Sequence, residues 1–213
     1  MTNIEASRED IIQSRGYRQN IVGDKFALYI SNYPVNAQYL LSRIGHPEYV
    51  LAELCCSIGV TLEYLSPGFK QLIGVDIDKD ILKACEENLH NSGALPNTHL
   101  IQGDVFDDAV LTKIDADIVI YDIPFWYEHK QQNRGNLIDK NPPLRPLIQK
   151  IEAYITKDIV IFSPPEWEYD RFAQDLGEIE FEHVYINGTH NRNQIYLGNL
   201  VRKNGISQIE LFS

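Results

Sequence analysis

Four acidic residues close four successive apolar runs of the sequence: Glu53, Asp76, Asp104 and Asp122. Each run has the length of a buried strand, and the carboxyl ends of parallel strands meet at one edge of a sheet. A carboxylate at such a strand end can accept hydrogen bonds from both hydroxyls of a ribose. Asp76 lies roughly 20 residues beyond Glu53, which is the spacing expected for that role. We therefore expect these carboxylates to surround one crevice that binds a nucleoside.

The elements that must position these residues alternate between strand-like and helical patterns from Tyr49 onward. Residues 79–93 have the periodicity of a helix with one buried face, and Gly93 is placed to end it. Residues 179–188 and 194–203 predict an antiparallel hairpin. This alternation is typical of βαβ units around a mostly parallel sheet. The parallel strands are predicted at residues 49–54, 71–77, 98–104, 116–122 and 157–163.

The turn after the first predicted strand contains small residues at Ser57 and Gly59. Small side chains there let the backbone approach a ligand, which a bulky side chain would block. A tight strand-to-helix turn without a ligand has the same composition, so that alternative stays open. The phosphate-cradling G-x-G-x-x-G of nicotinamide-binding proteins is missing, which disfavours a dinucleotide cofactor.

The string Glu-Leu-Cys-Cys-Ser-Ile-Gly at 53–59 resembles the first motif of class I S-adenosylmethionine-dependent methyltransferases, in the acidic-x-x-Cys-Gly-x-Gly form of many RNA-methylating enzymes. Cys56 and Gly59 match that form, Glu53 supplies the acid, and Ser57 stands where glycine is usual. The resemblance implies an α/β fold with a Rossmann-like, seven-stranded sheet that is mostly parallel with an antiparallel final strand. It also implies S-adenosyl-L-methionine as the cofactor.

The same resemblance assigns roles at the other strand ends. Asp104 would accept a hydrogen bond from the adenine amino group while Val105 or Phe106 packs on the ring. As an alternative, Asp104 caps a short following helix, as Asp78 or Asp80 is expected to cap the helix after Asp76. The cofactor-binding residues implied are Glu53, Cys55, Ser57, Gly59, Asp76, Ile77, Asp104 and Val105.

The fourth acidic run continues as Asp122-Ile123-Pro124-Phe125, which resembles the Asp/Asn/Ser-(Ile/Pro)-Pro-aromatic motif of methyltransferases that modify amino nitrogens. These four residues are the catalytic candidates. The Asp122 carboxylate and the Ile123 carbonyl would accept the two N–H hydrogens of an exocyclic amine, and so favour the positive charge that develops on nitrogen. Pro124 fixes the turn, and Phe125 would stack on a flat substrate. The alternative is a strand end and a proline turn whose aromatic residues pack under a loop.

The length and composition of the chain narrow the classes of protein to which it can belong. A chain of 213 residues with 44% hydrophobic and 23% charged residues is typical of one globular core with an appendage. We expect a helical extension at 1–45, in which Val35, Tyr39, Leu40 and Ile44 share helical spacing, and a cofactor-binding domain at 46–213. The polar start and the absence of a long apolar run predict a cytoplasmic protein without a membrane segment. Three cysteines and six scattered histidines predict neither disulfides nor a metal site.

The net charge of −11 argues against wrapping a long nucleic acid, but residues 129–150 carry five basic residues and one acidic residue. This basic stretch follows the catalytic candidates, so it would hold RNA phosphates while the aromatic residues accept one base. A solvated loop is the alternative. Pro34 and Ala37 match the Thr-Pro-Glu-x-x-Ala entry of the trimethylguanosine synthase group, which the sequence resembles in motif style.

The expected function is therefore methylation of an exocyclic amino group, in a nucleobase of RNA. Three alternatives remain open at this stage. The same motif type serves methylation of protein glutamine side chains and of DNA adenines. A catalytically silent, methyltransferase-like binding subunit is the third. The sequence makes no prediction of the oligomeric state.

Overall fold

The computed structural model of the chain describes residues 4–122 and 144–213. Eight strands form one sheet in the order β3-β2-β1-β4-β5-β7-β6-β8. Seven of them share one direction, and β7 runs antiparallel to its neighbours β5 and β6. The strands are β1 (His46–Leu54), β2 (Phe69–Asp76), β3 (Thr98–Gln102), β4 (Ile118–Asp122), β5 (Ile159–Ser163), β6 (Glu180–Ile186), β7 (Thr189–Tyr196) and β8 (Gly205–Leu211).

The predicted α/β class and the mostly parallel sheet are confirmed, but the seven-stranded count and the antiparallel final strand are wrong. The final strand is β8, which pairs parallel with β6 at the sheet edge. Its residues alternate between half-buried and exposed, with Ile206 52% exposed, so it lacks the apolar run that marks the inner strands. The antiparallel strand is the seventh, and it begins at Thr189 rather than near Gln194. Asn187 and Gly188 both have positive φ, which closes a tight two-residue turn before it.

Helices cover both faces of the sheet. One face is covered by α6, α7 and α8, whose apolar residues share a core with Val119 and Tyr121. The other face is covered by α3, α4 and α5, which pack on Leu51, Ile120 and Phe162. The helices are α1 (Arg8–Arg15), α2 (Lys25–Ile30), α3 (Pro34–Ile44), α4 (Val60–Leu65), α5 (Lys79–Ser92), α6 (Asp108–Leu111), α7 (Leu144–Tyr154) and α8 (Tyr169–Leu176).

The helix predicted after the second strand is confirmed as α5. Asp78 caps its N-terminus by accepting hydrogen bonds from the backbone N–H groups of Asp80 and Ile81. Gly93 ends it in the left-handed conformation with φ +79, which glycine adopts without a steric penalty.

The helices before the first strand pack on the start of α4. Ile11, Tyr17 and Leu28 form an apolar cluster with Ile58 and Val60. The buried Tyr17 hydroxyl lies 3.0–3.1 Å from three backbone carbonyls near the end of α2, those of Leu28, Ser31 and Asn32. The single hydrogen of this hydroxyl can bond one of these carbonyls at a time, so Tyr17 acts as a shared donor at the end of α2. None of the helices within the described ranges is long and apolar enough to span a membrane.

A buried ion pair joins α3 to the far end of β6. The Arg43 side chain is 6% exposed and donates to Glu180 at 2.7 Å, while its guanidinium covers the Tyr196 ring at 3.8 Å. Glu182, one pleat further along β6, accepts hydrogen bonds from the hydroxyls of Tyr39 and Tyr196. Burial raises the pKa of Glu180, but hydrogen bonds from the Arg202 backbone and the Arg43 side chain outweigh it, so the net pKa is lowered.

We predict that Arg43→Leu lowers the free energy of unfolding by about 3–5 kcal/mol, because it leaves buried carboxylates without their cation. Urea denaturation at pH 7 measures this. Lys83→Leu is the control, since its ion pair with Asp80 is exposed and its loss should leave the free energy of unfolding almost unchanged. The lowered pKa of Glu180 means that the wild-type advantage is present at neutral pH and is lost as the pH falls through the folded-state value. A deficit that stays constant into acid would contradict this assignment.

Candidate functional site

Three of the four predicted carboxylates lie at the carboxyl edge of adjacent strands. Glu53 is the penultimate residue of β1, and Asp76 and Asp122 are the last residues of β2 and β4. Glu53 is in register with Ile120, so Asp122 lies one pleat nearer the edge on the same face. Asp104 follows β3 by two residues, beyond Gly103, whose N–H donates to the Asp76 carbonyl at 3.0 Å. The structure thus brings the four strand ends together.

The turn after β1 departs from ordinary backbone conformations at three positions. Cys55, Ser57 and Gly59 have φ values of +64, +49 and +82. The left-handed region is unfavourable for residues with a Cβ, which explains why glycine is usual where this chain has Ser57. Gly59 is required for a second reason, because a Cβ there would lie 2.6 Å from Cys85 Sγ on α5. The small residue at Gly59 therefore serves helix packing, and close approach of a ligand is not needed to explain it.

Asp76 holds this turn against β2. Its carboxylate accepts hydrogen bonds from the backbone N–H of Ser57 at 3.0 Å and of Asp78 at 3.0 Å. Burial raises the pKa of Asp76, although these backbone donors oppose the shift. The neighbouring Ile77 side chain is 59% exposed. The strand end therefore presents a fixed carboxylate beside an exposed apolar side chain.

Asp104 shapes the loop after β3. Its carboxylate accepts from the Phe106 N–H at 2.9 Å, and the cap of α6 is Asp107 rather than Asp104. The expected alternative, in which Asp104 caps a following helix, is therefore wrong. Val105 is buried in the core, and the partly buried Phe106 packs against it.

Glu53 and Asp122 are the electrostatic centre of this edge. The Glu53 side chain is 2% exposed, and within the described residues its Oε2 has no hydrogen-bond partner. Burial raises the pKa of Glu53 well above its ordinary value, and the nearby Asp122 charge raises it further. Burial also raises the pKa of Asp122 to about 6, against the opposing effect of Arg192. Two carboxylates held in this way favour a ligand that brings hydrogen-bond donors or positive charge.

Cys55 belongs to the same electrostatic site. Burial raises the pKa of its thiol, and the carboxylates of Asp76, Asp122, Glu53 and Asp104 add to the effect. All four predicted acidic residues thus act on one side chain. The thiol is held neutral, so Cys55 lines the turn without adding charge. No three His, Cys, Asp or Glu side chains among the described residues converge as metal ligands.

Other predicted residues lie outside the described ranges or have a different role. Ile123, Pro124 and Phe125 fall outside those ranges, as do Lys130, Arg134 and Lys140 of the basic stretch. Two basic residues at the end of the stretch are engaged within the chain. Arg145 is ion-paired with Asp175, and Lys150 with Asp108, so neither is a free cation for a phosphate.

The sequence reading missed Arg192 of β7. Its guanidinium lies 4.9 Å from the centre of the Phe162 ring, and Phe162 is the register partner of Asp122. Burial lowers the pKa of Arg192, and the charges of Asp122 and Glu53 oppose the shift. Arg192 lies among polar residues of β7, so no local pattern distinguishes it. The sequence could not indicate its partner, because β4 and β7 are far apart in the chain, with β5 and β6 between them.

Comparison with known proteins agrees with the fold. No model of a known protein family matches the sequence. The chain is 26% identical over 174 residues to an uncharacterised protein of Methanocaldococcus jannaschii. The aligned region covers 78% of this chain and 71% of that protein.

Solved structures of methyltransferases share the sheet and its helices. A proposed methyltransferase from Porphyromonas gingivalis has a TM-score of 0.69 at 17% identity over 87% of this chain and 46% of that one. The rRNA methyltransferase aviRa from Streptomyces viridochromogenes has a TM-score of 0.58 at 14% identity, covering 83% and 88%. A TehB-like SAM-dependent methyltransferase from Corynebacterium glutamicum has a TM-score of 0.53 at 14% identity, over 88% of this chain and 92% of that one. This chain spans about half of the P. gingivalis protein and has the fold of these methyltransferases.

The left-handed backbone at Ser57 gives a direct test of the turn. We predict that Ser57→Gly raises the free energy of unfolding by about 0.5–1 kcal/mol, because glycine removes the clash between Cβ and the backbone. Ser14→Gly, at an exposed position inside α1, is the control and should lower it by about 0.5 kcal/mol. Denaturant titration compares the two variants. Equal destabilisation by both would show that the turn is unstrained at Ser57.

Proposed function

We propose that the chain is an S-adenosylmethionine-dependent methyltransferase acting on an exocyclic amino group of a nucleobase in RNA. The observation that carries the proposal is the pair of carboxylates, Glu53 and Asp122, placed one pleat apart at the carboxyl edge of β1 and β4. The Asp122-Ile123-Pro124-Phe125 string and the likeness of fold to methyltransferases, one of them named for rRNA, support it.

The edge suits this cofactor chemically. Asp76 would accept the two ribose hydroxyls, and the exposed Ile77 would cover the nucleoside from one side. Asp104 would accept the adenine amino group. The Glu53 Oε2, which has no hydrogen-bond partner among the described residues, would accept the ammonium group of the methionine part. The cofactor supplies a methyl group on a sulfonium, which is an activated leaving group.

Asp122 would bind and orient the acceptor amine. An exocyclic amine conjugated to a ring is a weak nucleophile, because its lone pair is delocalised into the ring. In the proposed mechanism the Asp122 carboxylate and the Ile123 carbonyl accept the two N–H hydrogens, which directs the lone pair toward the methyl group. The same acceptors stabilise the positive charge that develops on nitrogen. Rate then comes from positioning and electrostatics at atoms that the chain itself provides.

We predict that Asp122→Ala lowers the rate of methyl transfer by about 100-fold or more while cofactor affinity is largely retained. Asp76→Ala should weaken cofactor affinity by about 10- to 100-fold, since each hydrogen bond to a charged group is worth about 1.5–3 kcal/mol. Calorimetry gives the affinities, and labelled S-adenosylmethionine with separate RNA, DNA and protein fractions gives transfer. Asp115→Ala is the control, because this exposed carboxylate precedes β4 at the opposite end of the strand.

Two results would contradict the proposal. Transfer that survives Asp122→Ala, or a cofactor affinity that depends on Asp122 rather than Asp76, would reverse the assigned roles. Transfer to the protein or DNA fraction alone would keep the enzyme but replace the RNA acceptor.

The protonation of Asp122 leads to a separate prediction. Its pKa is raised to about 6, and the carboxylate accepts N–H hydrogens fully in the ionised form alone. The transfer rate under single-turnover conditions should therefore rise as the pH increases through about 6 and level off above it. Asp122→Asn cannot titrate, so its lower rate should lack this limb. If the transfer rate of the Asn variant also rises through about pH 6, the pH dependence belongs to another titrating group.

A further inference from the structure

Two arginines from opposite ends of the chain lie on the Asp122 side of the sheet. Arg15 is the last residue of α1, and Arg192 lies in β7. Both side chains are half-buried. Neither forms an ion pair with any residue in 4–122 or 144–213, although Arg43 and Arg145 in the same ranges do.

The Arg192 guanidinium lies over an aromatic ring. The guanidinium stacks on the Phe162 ring, and Phe162 is in register with Asp122 on one side and Gln194 on the other. Stacking leaves the in-plane N–H groups of a guanidinium directed away from the ring. The Nε of Arg192 donates to Asn191 at 3.3 Å. The terminal N–H groups of Arg192 make no hydrogen bond within the described ranges, so they are available to a ligand.

Arg15 is held in the same manner. Its Nη1 donates to the Ser31 carbonyl at 2.8 Å, and its guanidinium covers the Tyr33 ring at 4.4 Å. The Tyr17 hydroxyl contacts the same Ser31 carbonyl at 3.1 Å. Arg15 is thus attached to the segment between α2 and α3 through Nη1. Its other N–H groups are not used by this hydrogen bond.

A chain of buried amides connects this segment to β7. The Asn32 Oδ1 accepts from the Asn36 side chain at 2.9 Å, and the Asn36 Oδ1 accepts from Gln194 Nε2 at 2.6 Å. Gln194 is two residues from Arg192, on the same face of β7. Buried hydrogen bonds thus connect the segment that holds Arg15 to the strand that carries Arg192. Their charges interact, because the Arg15 charge contributes to the lowered pKa of Arg192.

We propose that Arg15 and Arg192 together bind a phosphate group of the nucleotide whose base amine is held by Asp122. This deepens the proposed function and rests on it. Two guanidinium groups that repel each other, and that form no ion pair within residues 4–122 and 144–213, become favourable neighbours when an anion lies between them. The planar fork of a guanidinium matches phosphate oxygens in geometry. A nucleotide has both required parts, an amine for the carboxylate and a phosphate for the arginines.

The rest of the charge distribution supports a local phosphate site. The chain has a net charge of −11, so two half-buried arginines without an ion pair in the part of the chain that the structure describes stand out from this background. Arg145 and Lys150, the described basic residues of the stretch at 129–150, are already neutralised by carboxylates. The phosphate-binding role therefore falls to residues that the sequence does not place together.

The test compares nucleosides with their 5′-monophosphates at saturating S-adenosylhomocysteine, measured by calorimetry. For adenosine, guanosine and cytidine in turn, we expect at least one monophosphate to bind wild type at least 10-fold more tightly than its nucleoside. Arg15→Gln and Arg192→Gln should each reduce that ratio by at least 5-fold. Lys203→Gln is the matched control, because this exposed lysine lies beyond the opposite end of the sheet, beside Glu180.

Equal affinity of wild type for nucleosides and monophosphates, or no binding of either, would overturn the inference even if both variants failed to fold. An affinity loss seen with S-adenosylhomocysteine but absent with methylthioadenosine would assign the arginines to the cofactor carboxylate, and would also overturn it. The proposed function fails separately, through absent cofactor binding or absent methyl transfer in wild type. A wild type that transfers methyl groups without favouring monophosphates refutes the phosphate site alone.

Discussion

The burial of two carboxyl groups, Glu53 and Asp122, one pleat apart on adjacent strands dominates the electrostatics at the carboxyl edge of the sheet. Hydrogen bonding of β1 to β4, which pairs residues 51–54 with 118–121, fixes the register of the two strand ends that carry these groups. Burial disfavours both charges, and the pKa of each is raised. Such an arrangement costs stability in the free protein, and it is retained where a ligand supplies the missing donors. The proposed enzyme depends on this unfavourable pair.

Contacts on both sides of Glu53 and Asp122 hold the carboxyl edge of the sheet in place. Asp76 accepts the Ser57 N–H and holds the left-handed turn beside Glu53, while Cys85 fills the space that Gly59 leaves. On the other side, Asn36 and Gln194 bind the helices before β1 to the antiparallel strand β7. The segment before β1 is thereby joined to the antiparallel strand β7. In the proposed function, the cofactor and acceptor sites would lie on opposite sides of this sheet edge.

Features that depend on a local residue pattern could be predicted from the sequence. Features that depend on contacts between residues far apart in the chain could not. The acidic strand ends, α5 with Gly93, and the hairpin follow from periodicity and from residues with special backbone angles. The strand β8 was missed because its half-exposed alternation resembles a loop beside the apolar inner strands. Arg192 was missed because nothing near it indicates Phe162 or Asp122. Lys150 is a basic residue in the sequence, but its neutralisation by Asp108 is visible in the fold alone.

A crystal structure with S-adenosylhomocysteine tests the central claim most directly. The account predicts the ribose hydroxyls on the Asp76 carboxylate, the adenine beside Asp104, and the amino acid part extending past the Ser57 turn toward Glu53. It also predicts that the Asp122 carboxylate stays free on the open side of the cofactor. A ligand at any other edge of the sheet, or an Asp76 carboxylate beyond hydrogen-bond distance of the ribose, would contradict the account.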